Sequence, residues 1–171
     1  MRLRRNSYRD AAERAYAGVV AHARRPEFFT GGGVPDTLDG RFELVCLHAF
    51  LYLHRLKGEA SAGGVSQAFF DTMFADFDRS LREIGTGDLS VGRQVNRMAE
   101  AFYGRIHAYE DGLAGDDPAL EAALTRNLYG TTTASPELVI RMAAYMRREA
   151  ARLTTEPGAA LIAGDVVFGA P

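Results

Sequence analysis

The 171-residue chain contains no tryptophan and a single cysteine, Cys46. One cysteine cannot form an intrachain disulfide, so the composition favours a reducing, intracellular compartment. Cys46 lies in an apolar helical stretch, where a lone cysteine usually packs as a small buried hydrophobe and does not act as a nucleophile. Lysine is also nearly absent, because Lys57 is the only one among 20 basic residues. The positive charge is therefore carried almost entirely by arginine.

Long apolar runs and a strong net charge are also missing. No run reaches the roughly 20 apolar residues that a membrane-spanning helix needs, and the longest candidate, residues 42–53, is interrupted by His48. A net charge of −2 argues against a general nucleic-acid binder, and we expect no DNA partner. The length and the 47% hydrophobic content suit one globular domain with a sizeable core. We therefore predict a single domain over residues 1–171.

The patterns of common catalytic and metal sites are absent from the sequence. There is no glycine-rich phosphate loop, no G-x-S-x-G motif and no H-E-x-x-H pattern. None of the four histidines has a glutamate three residues before it, as the di-iron bundles require. One cysteine and four scattered histidines also argue against a structural zinc site. We therefore predict a protein that is not an enzyme and holds neither cofactor nor metal.

Helical patterns fill most of the chain. Phe70, Met73, Phe74 and Phe77, for example, fall at spacings of three and four, which is the period of one helical face. Proline, glycine and capping residues mark the boundaries between such stretches. The predicted fold class is all-α, a single-domain bundle of about six helices with a tail that packs back onto it. The helices are expected near residues 7–24, 40–57, 66–84, 88–113, 117–128 and 135–153.

Some features of this bundle allow more than one interpretation. His48 is predicted to be buried or half buried and bonded to a neighbouring helix, and the alternative is a role as a ligand or an acid–base group. Four aromatic residues of the third predicted helix form either part of the core or an exposed apolar groove. These four aromatic residues are Phe69, Phe70, Phe74 and Phe77.

The histidines allow another interpretation of the bundle. An apolar pocket near His48 and His54 would suit a helical carrier or an enzyme that binds a quinone, a lipid or haem.

Charge is distributed unevenly along the sequence. Residues 1–25 hold seven arginines against two acids, and residues 141–152 hold four arginines against one acid. Residues 36–121 hold fifteen acids against eight bases. If the first and last long helices are neighbours, they make a basic face that suits anionic lipid head groups or ribosomal RNA. The alternative is an ordinary solvated face.

Two motifs concentrate turn, cap and charged residues. One is Pro35-Asp36-Thr37-Leu38-Asp39-Gly40-Arg41-Phe42, and the other is Leu81-Arg82-Glu83-Ile84-Gly85-Thr86-Gly87-Asp88. The second motif forms a helix–helix corner that is either a capped turn with a local ion pair or part of a docking surface. Together with Phe70-Asp71-Thr72-Met73-Phe74 and Phe102-Tyr103-Gly104-Arg105, these segments resemble the ubiquinol–cytochrome c chaperone family over most of the chain.

The resemblance implies an all-α chaperone that binds newly made cytochrome b and supports biogenesis of the bc1 complex. Mitochondrial relatives work near the ribosomal exit tunnel, so the ribosome is an expected partner. We expect a cytoplasmic location, peripheral at the inner membrane, where the basic face would meet an anionic membrane surface. Because Asp10 and Glu13 interrupt the arginine-rich start, we expect a structural helix there, as in a bacterial member, and no transit peptide. The motif positions expected to shape the partner-binding surface are Asp36, Asp39, Arg41, Gln67, Arg82, Glu83, Asp88 and Arg105.

Overall fold

The computed structural model describes the backbone of residues 2–171 and the side chains of residues 7–87 and 90–171. Over this part of the chain the structure is helical and contains no strand, which confirms the all-α prediction. Two helices of five residues each, Pro26–Thr30 and Gly158–Ile162, were not predicted because a single turn is too short to show periodicity. The helices are α1 (Arg2–Ala23), α2 (Pro26–Thr30), α3 (Leu38–Leu56), α4 (Gly63–Glu83), α5 (Asp88–Ala114), α6 (Asp117–Arg126), α7 (Pro136–Thr155) and α8 (Gly158–Ile162).

Side chains near the helix starts explain two of these boundaries. Thr37 caps α3, because its side chain accepts a hydrogen bond from the Gly40 amide at 3.2 Å. Asp116 caps α6 by accepting from the Ala119 amide at 3.1 Å. Helix α6 begins at Asp117, where the sequence predicts its start.

The end of α4 is a glycine-terminated turn. Gly85 has a φ of 87°, in the left-handed region that favours glycine. Its amide donates to the Arg82 carbonyl, and the Thr86 amide donates to the Leu81 carbonyl. These two bonds form a Schellman motif, which confirms that Gly85 ends this helix.

Helix α3 lies at the centre of the bundle. It contacts α1, α5, α7 and α8, while α4 packs against α1 and α5, and α6 packs against α5 and α7. A helix that is apolar on most of its circumference must be surrounded by other elements, and twelve of the nineteen residues of α3 are buried. Among the described residues, no helix combines the length and the apolarity that crossing a bilayer would require.

The segment after α8 returns across the bundle, as predicted for the tail. We call residues 163–171 the strap. Val166 and Phe168 of the strap are buried, whereas Val167 between them is 73% exposed. The strap therefore adds apolar side chains to the core without forming a helix of its own.

Candidate functional site

The first group of predicted site residues lies at the start of α3. The Arg41 Nε donates to Asp36 Oδ1 at 2.7 Å, and both side chains are more than half exposed. The hydrogen bond with Arg41 lowers the pKa of Asp36, and the same bond raises the pKa of Arg41. Asp39 is exposed in the first turn of α3. These residues present a charged surface, and the exposed Asp36–Arg41 ion pair adds little to stability.

The second group lies where α4 ends. The Arg82 Nε donates to Asp78 Oδ2 at 2.7 Å, and Glu83 is exposed beside it. The side chain of Asp88 lies outside the described residues. Because the Phe42 and Phe77 rings are 5.3 Å apart, the start of α3 packs against the second half of α4. The two charged groups therefore face the same end of the bundle.

Gln67 lies apart from these groups. Its amide donates to Asp71 Oδ1 at 2.8 Å in the second turn of α4. At ~1.5 Å per residue, it lies about 22 Å along the helix from Arg82. The predicted site residues therefore do not form one compact cluster.

Arg105 lies inside the bundle and links α5 to α3. Its Nε donates to Glu43 Oε2 at 2.6 Å, its Nη2 donates to the other carboxylate oxygen, and its guanidinium lies 5.5 Å from the Phe42 ring centroid. Burial raises the pKa of Glu43, and the hydrogen bonds from Arg105 oppose that rise. The partner of Arg105 is thus an acid of α3. Sequence reasoning overlooked Glu43, a lone acid within an apolar helix, which requires a buried partner.

Five aromatic rings form a continuous row across α3, α4 and α5, which we call the aromatic ladder. Successive ring centroids lie 5.3, 5.4, 4.5 and 5.5 Å apart. The ladder consists of Phe42, Phe77, Phe74, Phe70 and Tyr103. Its middle is core, because Phe74 and Phe77 are each 8% exposed. Its far end reaches the surface, since Phe70 is half buried and Tyr103 is 52% exposed.

The ladder decides between the two interpretations of the α4 aromatics. Phe69 is fully buried against Tyr16 and Tyr52, so three of the four predicted aromatics belong to the core. Phe70 alone contributes to an exposed apolar surface, together with Tyr103 of α5. Gly104, beside Tyr103, makes no close helix contact, because a Cβ placed there meets nothing within 4 Å. The surface at this end of the ladder is open.

A buried polar cluster joins α1, α3 and α7. His48 Nδ1 lies 2.7 Å from the Leu44 carbonyl, which makes this nitrogen the donor. His48 Nε2 then accepts from the Tyr145 hydroxyl at 2.8 Å, and the same oxygen accepts from His22 Nε2 at 2.9 Å. Burial lowers the pKa of His48 to about 3 and that of His22 to about 4, so both rings are neutral near pH 7. The prediction that His48 bonds to a neighbouring helix is confirmed.

The space around this cluster is filled by side chains. The rings of Phe28 and Phe168 lie 5.1 and 5.0 Å from the His48 ring. His54 points elsewhere, with Nδ1 3.6 Å from Glu110 Oε1. His48 and His54 therefore do not share a pocket for a quinone, lipid or haem. Within the described residues, no three His, Cys, Asp or Glu side chains come together as a metal site.

Helix α7 lines two open grooves among the residues whose side chains the structure describes. The larger, about 500 Å³, lies between α3, α5 and α7 over Leu51, Leu113 and Ala150. Arg55 and Arg147 line its rim, but both donate to helix-end carbonyls, of Leu153 and Leu113 for example. The smaller groove, about 330 Å³, lies beside Tyr145. Its rim includes Arg141 and Arg148.

Helices α1 and α7 meet through the His22–Tyr145 bond, as the hypothesis of a basic face requires. Several of their arginines donate to backbone carbonyls: Arg14 to Ala163, Arg141 to Gly31 and Arg148 to Ala170. A carbonyl group does not neutralise a guanidinium. The guanidiniums of Arg14 and Arg141 therefore keep their positive charge, while that of Arg148 also lies 3.7 Å from the Glu149 carboxylate.

Three comparisons with known proteins agree with one another. Residues 31–168 match the model of a family described as ubiquinol-cytochrome C chaperone. The ubiquinol-cytochrome-c reductase complex assembly factor 1 of Xenopus laevis is 31% identical over 160 residues, which cover 92% of this chain and 80% of that protein. The mouse protein of that name is 28% identical over 158 residues, and the match spans 91% of this chain but only 54% of the mouse protein.

A solved structure is similar over nearly the whole chain. The crystal structure of the Cbp3 homolog from Brucella abortus shares 40% sequence identity and superposes with a TM-score of 0.85. The superposition covers 98% of this chain and 94% of that chain. The likeness therefore extends beyond the matched motifs to the arrangement of the helices.

Proposed function

Because this chain belongs to the ubiquinol–cytochrome c chaperone family, we propose that it is an assembly chaperone for the cytochrome bc1 complex. The observation that carries the proposal is the family match over residues 31–168. The relatives are named as assembly factors of ubiquinol–cytochrome c reductase, which is the same complex. An assembly chaperone acts by binding a client, so the proposal requires no catalytic group.

We infer that the client is newly made cytochrome b, a membrane protein whose apolar segments need cover before assembly. The exposed end of the aromatic ladder supports this inference, because aromatic side chains provide large contact areas at interfaces. Tyr103 and Phe70 form this end, and Leu38 and Ile84 are also more than half exposed, at 60% and 62%. Such exposed apolar side chains indicate a surface that binds another protein when they lie together.

The predicted charged residues suit the border of this surface, since interfaces commonly combine an apolar centre with a polar rim. Asp36, Asp39, Arg41, Arg82 and Glu83 would form the rim near Leu38 and Ile84. Two further predicted residues, Gln67 and Asp88, would extend it along α4 and at the start of α5. Arg105 would act from inside, by holding α5 against α3.

A client that enters the membrane as it is made would bring the chaperone to the ribosomal exit tunnel and the inner-membrane surface. The arginines retained on α1 and α7 suit anionic lipid head groups and ribosomal RNA. We therefore propose a cytoplasmic protein that works at the periphery of the inner membrane.

The proposal is tested by deleting the gene and complementing it with variants. Deletion should lower the cytochrome b absorbance and the amount of bc1 complex, and a tagged chaperone should recover cytochrome b without the other subunits. Tyr103→Ser should reduce that recovery severalfold because it removes an exposed aromatic contact. Ile140→Ser is the matched control, since Ile140 is equally exposed, at 51%, but lies on α7.

Unchanged cytochrome b absorbance after deletion would refute the assembly role. If Tyr103→Ser and Ile140→Ser recovered equal amounts of cytochrome b, the client surface would have to lie elsewhere. The thermal unfolding of both variants should match that of the wild type, because neither side chain belongs to the core.

A further inference from the structure

The strap has the pattern of an extended peptide seated in a groove. Alternate side chains point inward: Val166 is 8% exposed and Phe168 is 7% exposed, whereas Val167 is 73% exposed. Such alternation is the geometry of an extended chain with one face covered. The groove beneath the strap is formed by α1 and α7, with His48 of α3 against Phe168.

The groove holds the strap largely through its backbone. Arg14 donates to the Ala163 carbonyl, Arg152 donates to the Val167 carbonyl, and Arg148 donates to the Ala170 carbonyl at 2.6 Å. In the other direction, the Gly169 amide donates to Glu149 Oε2 at 2.8 Å. Because every peptide carries these carbonyl and amide groups, the same side chains would hold an extended segment of a different sequence.

Selectivity comes from the two inward side chains. The Phe168 ring lies 5.1 Å from the His22 ring and 5.0 Å from the His48 ring, which is the range of favourable aromatic contacts. Gly18 lets the backbone of Val166 approach α1 closely, since a Cβ at Gly18 would lie 3.2 Å from the Val166 carbonyl oxygen. The groove therefore accepts three consecutive residues: an apolar residue that points inward, a residue of any type that points outward, and an aromatic residue that points inward.

Glu149 provides an independent sign that the strap does not use the whole groove. Its residue exposure is zero, and Oε2 also accepts from Arg152 Nε at 2.9 Å. Oε1 is buried without a hydrogen-bond partner, and Arg148 Nε lies 3.7 Å from it. An unused buried carboxylate oxygen is costly. It also faces the occupant, because a Cβ at Gly169 would lie 2.5 Å from it.

We propose that α1 and α7 form a peptide-binding groove and that the strap is its resident occupant. When the strap is displaced, the groove binds an extended segment of another protein, in which an apolar residue is followed by any residue and then by an aromatic one. The strap competes from within the same molecule, where a tethered segment has an effective concentration of about millimolar. A free peptide therefore binds weakly until the strap is loosened. This inference does not depend on the role in bc1 assembly.

The test uses a fluorescent synthetic peptide with the sequence of residues 163–171, titrated onto the full chain. Phe168→Ala empties the aromatic position, so this variant should bind the peptide at least about tenfold more tightly than the wild type. Val167→Ala is the matched control, because its side chain is exposed, and it should bind the peptide as weakly as the wild type does. A peptide in which alanine replaces the phenylalanine should not bind.

A second variant guards against loss of folding in the first. Gly169→Ala places a Cβ against Glu149, so it should loosen the strap without changing the identity of Phe168, and the peptide should again bind more tightly than to the wild type. Absence of peptide binding to a folded Phe168→Ala or Gly169→Ala chain would overturn the proposal. Equal binding to the wild type, Val167→Ala and Phe168→Ala chains would overturn it as well.

Discussion

At the scale of single residues, the decisive contrast is between two Arg–carboxylate pairs. Glu43 and Arg105 have side-chain exposures of 10% and 16%, whereas Asp36 and Arg41 are 56% and 58% exposed. Water screens the second pair but hardly reaches the first. Removing one partner of a buried pair leaves the other charge without compensation, which is why the two pairs should respond differently to mutation.

Arg105→Ala should therefore lower the free energy of unfolding by about 3–5 kcal/mol, because Glu43 remains buried. Arg41→Ala, the control in the exposed pair, should lower it by less than about 1 kcal/mol. Urea unfolding of the two variants measures the difference. Replacing both buried partners, as Glu43→Leu with Arg105→Met, should recover much of the loss. Similar losses for Arg105→Ala and Arg41→Ala would contradict this account.

The neutral histidines make stability depend on pH. Burial lowers the pKa of His48 to about 3, whereas an unfolded histidine titrates near 6.5. The unfolded chain therefore binds more protons below about pH 6.5, and stability falls as the pH drops towards the folded pKa. His48 alone should reduce the free energy of unfolding by about 2 kcal/mol between about pH 7 and pH 5.

Denaturant unfolding at these two pH values measures that loss. His107 is exposed, so His107→Asn should leave the loss unchanged. An unfolding midpoint that is the same at both pH values would show that His48 is not held neutral by burial.

At the scale of helices, α5 contains two glycines that its packing does not require. A Cβ added at Gly92 or at Gly104 meets nothing within 4 Å, and neither residue has a positive φ. By contrast, a Cβ at Gly40 would lie 2.0 Å from the Pro35 carbonyl oxygen. Helix α3 therefore needs its glycine for a close backbone contact, whereas α5 needs neither Gly92 nor Gly104 for one.

Gly104→Ala should raise the free energy of unfolding by up to about 1 kcal/mol, since alanine is the better helix former. Gly92→Ala should act in the same direction. Gly40→Ala should lower stability because the backbone of the preceding loop must move. Thermal melts of the three variants test this contrast, and a destabilising Gly104→Ala would show that α5 makes a contact at that position.

At the scale of the whole molecule, charge is divided between two sides. The middle helices carry most of the acids, while arginines of α1 and α7 bond to carbonyls and keep their positive charge. A protein with a small net charge can still bind a charged surface when its own charges are separated in this way.

We therefore expect flotation with vesicles that contain anionic lipid, and none with neutral vesicles. Salt at roughly 1 M, where the screening length is ~3 Å, should release the protein. Arg148→Gln should weaken the binding, and Arg82→Gln, a change on the acidic side, should not. Flotation that salt does not reverse would indicate apolar insertion in place of electrostatic attraction.

The sequence by itself determined the helical class, because amphipathic spacing and capping residues are local properties. Thr37, Pro136 and Gly85 mark helix boundaries through bonds or backbone restrictions that involve only nearby residues. The sequence motifs also predicted the family, and the family match over residues 31–168 confirms that prediction. The two single-turn helices, α2 and α8, could not be predicted from the sequence, because five residues are too few to show helical periodicity.

Only the tertiary structure decided which side chains meet. The Glu43–Arg105 pair joins residues 62 positions apart, and the His48–Tyr145 bond joins residues 97 apart. Likewise, the exposed end of the aromatic ladder depends on how α5 covers α4, and not on the spacing within either helix. Periodicity shows which face of a helix is apolar, but it does not show which helix covers that face, because pairing between distant segments is settled only when the whole core packs.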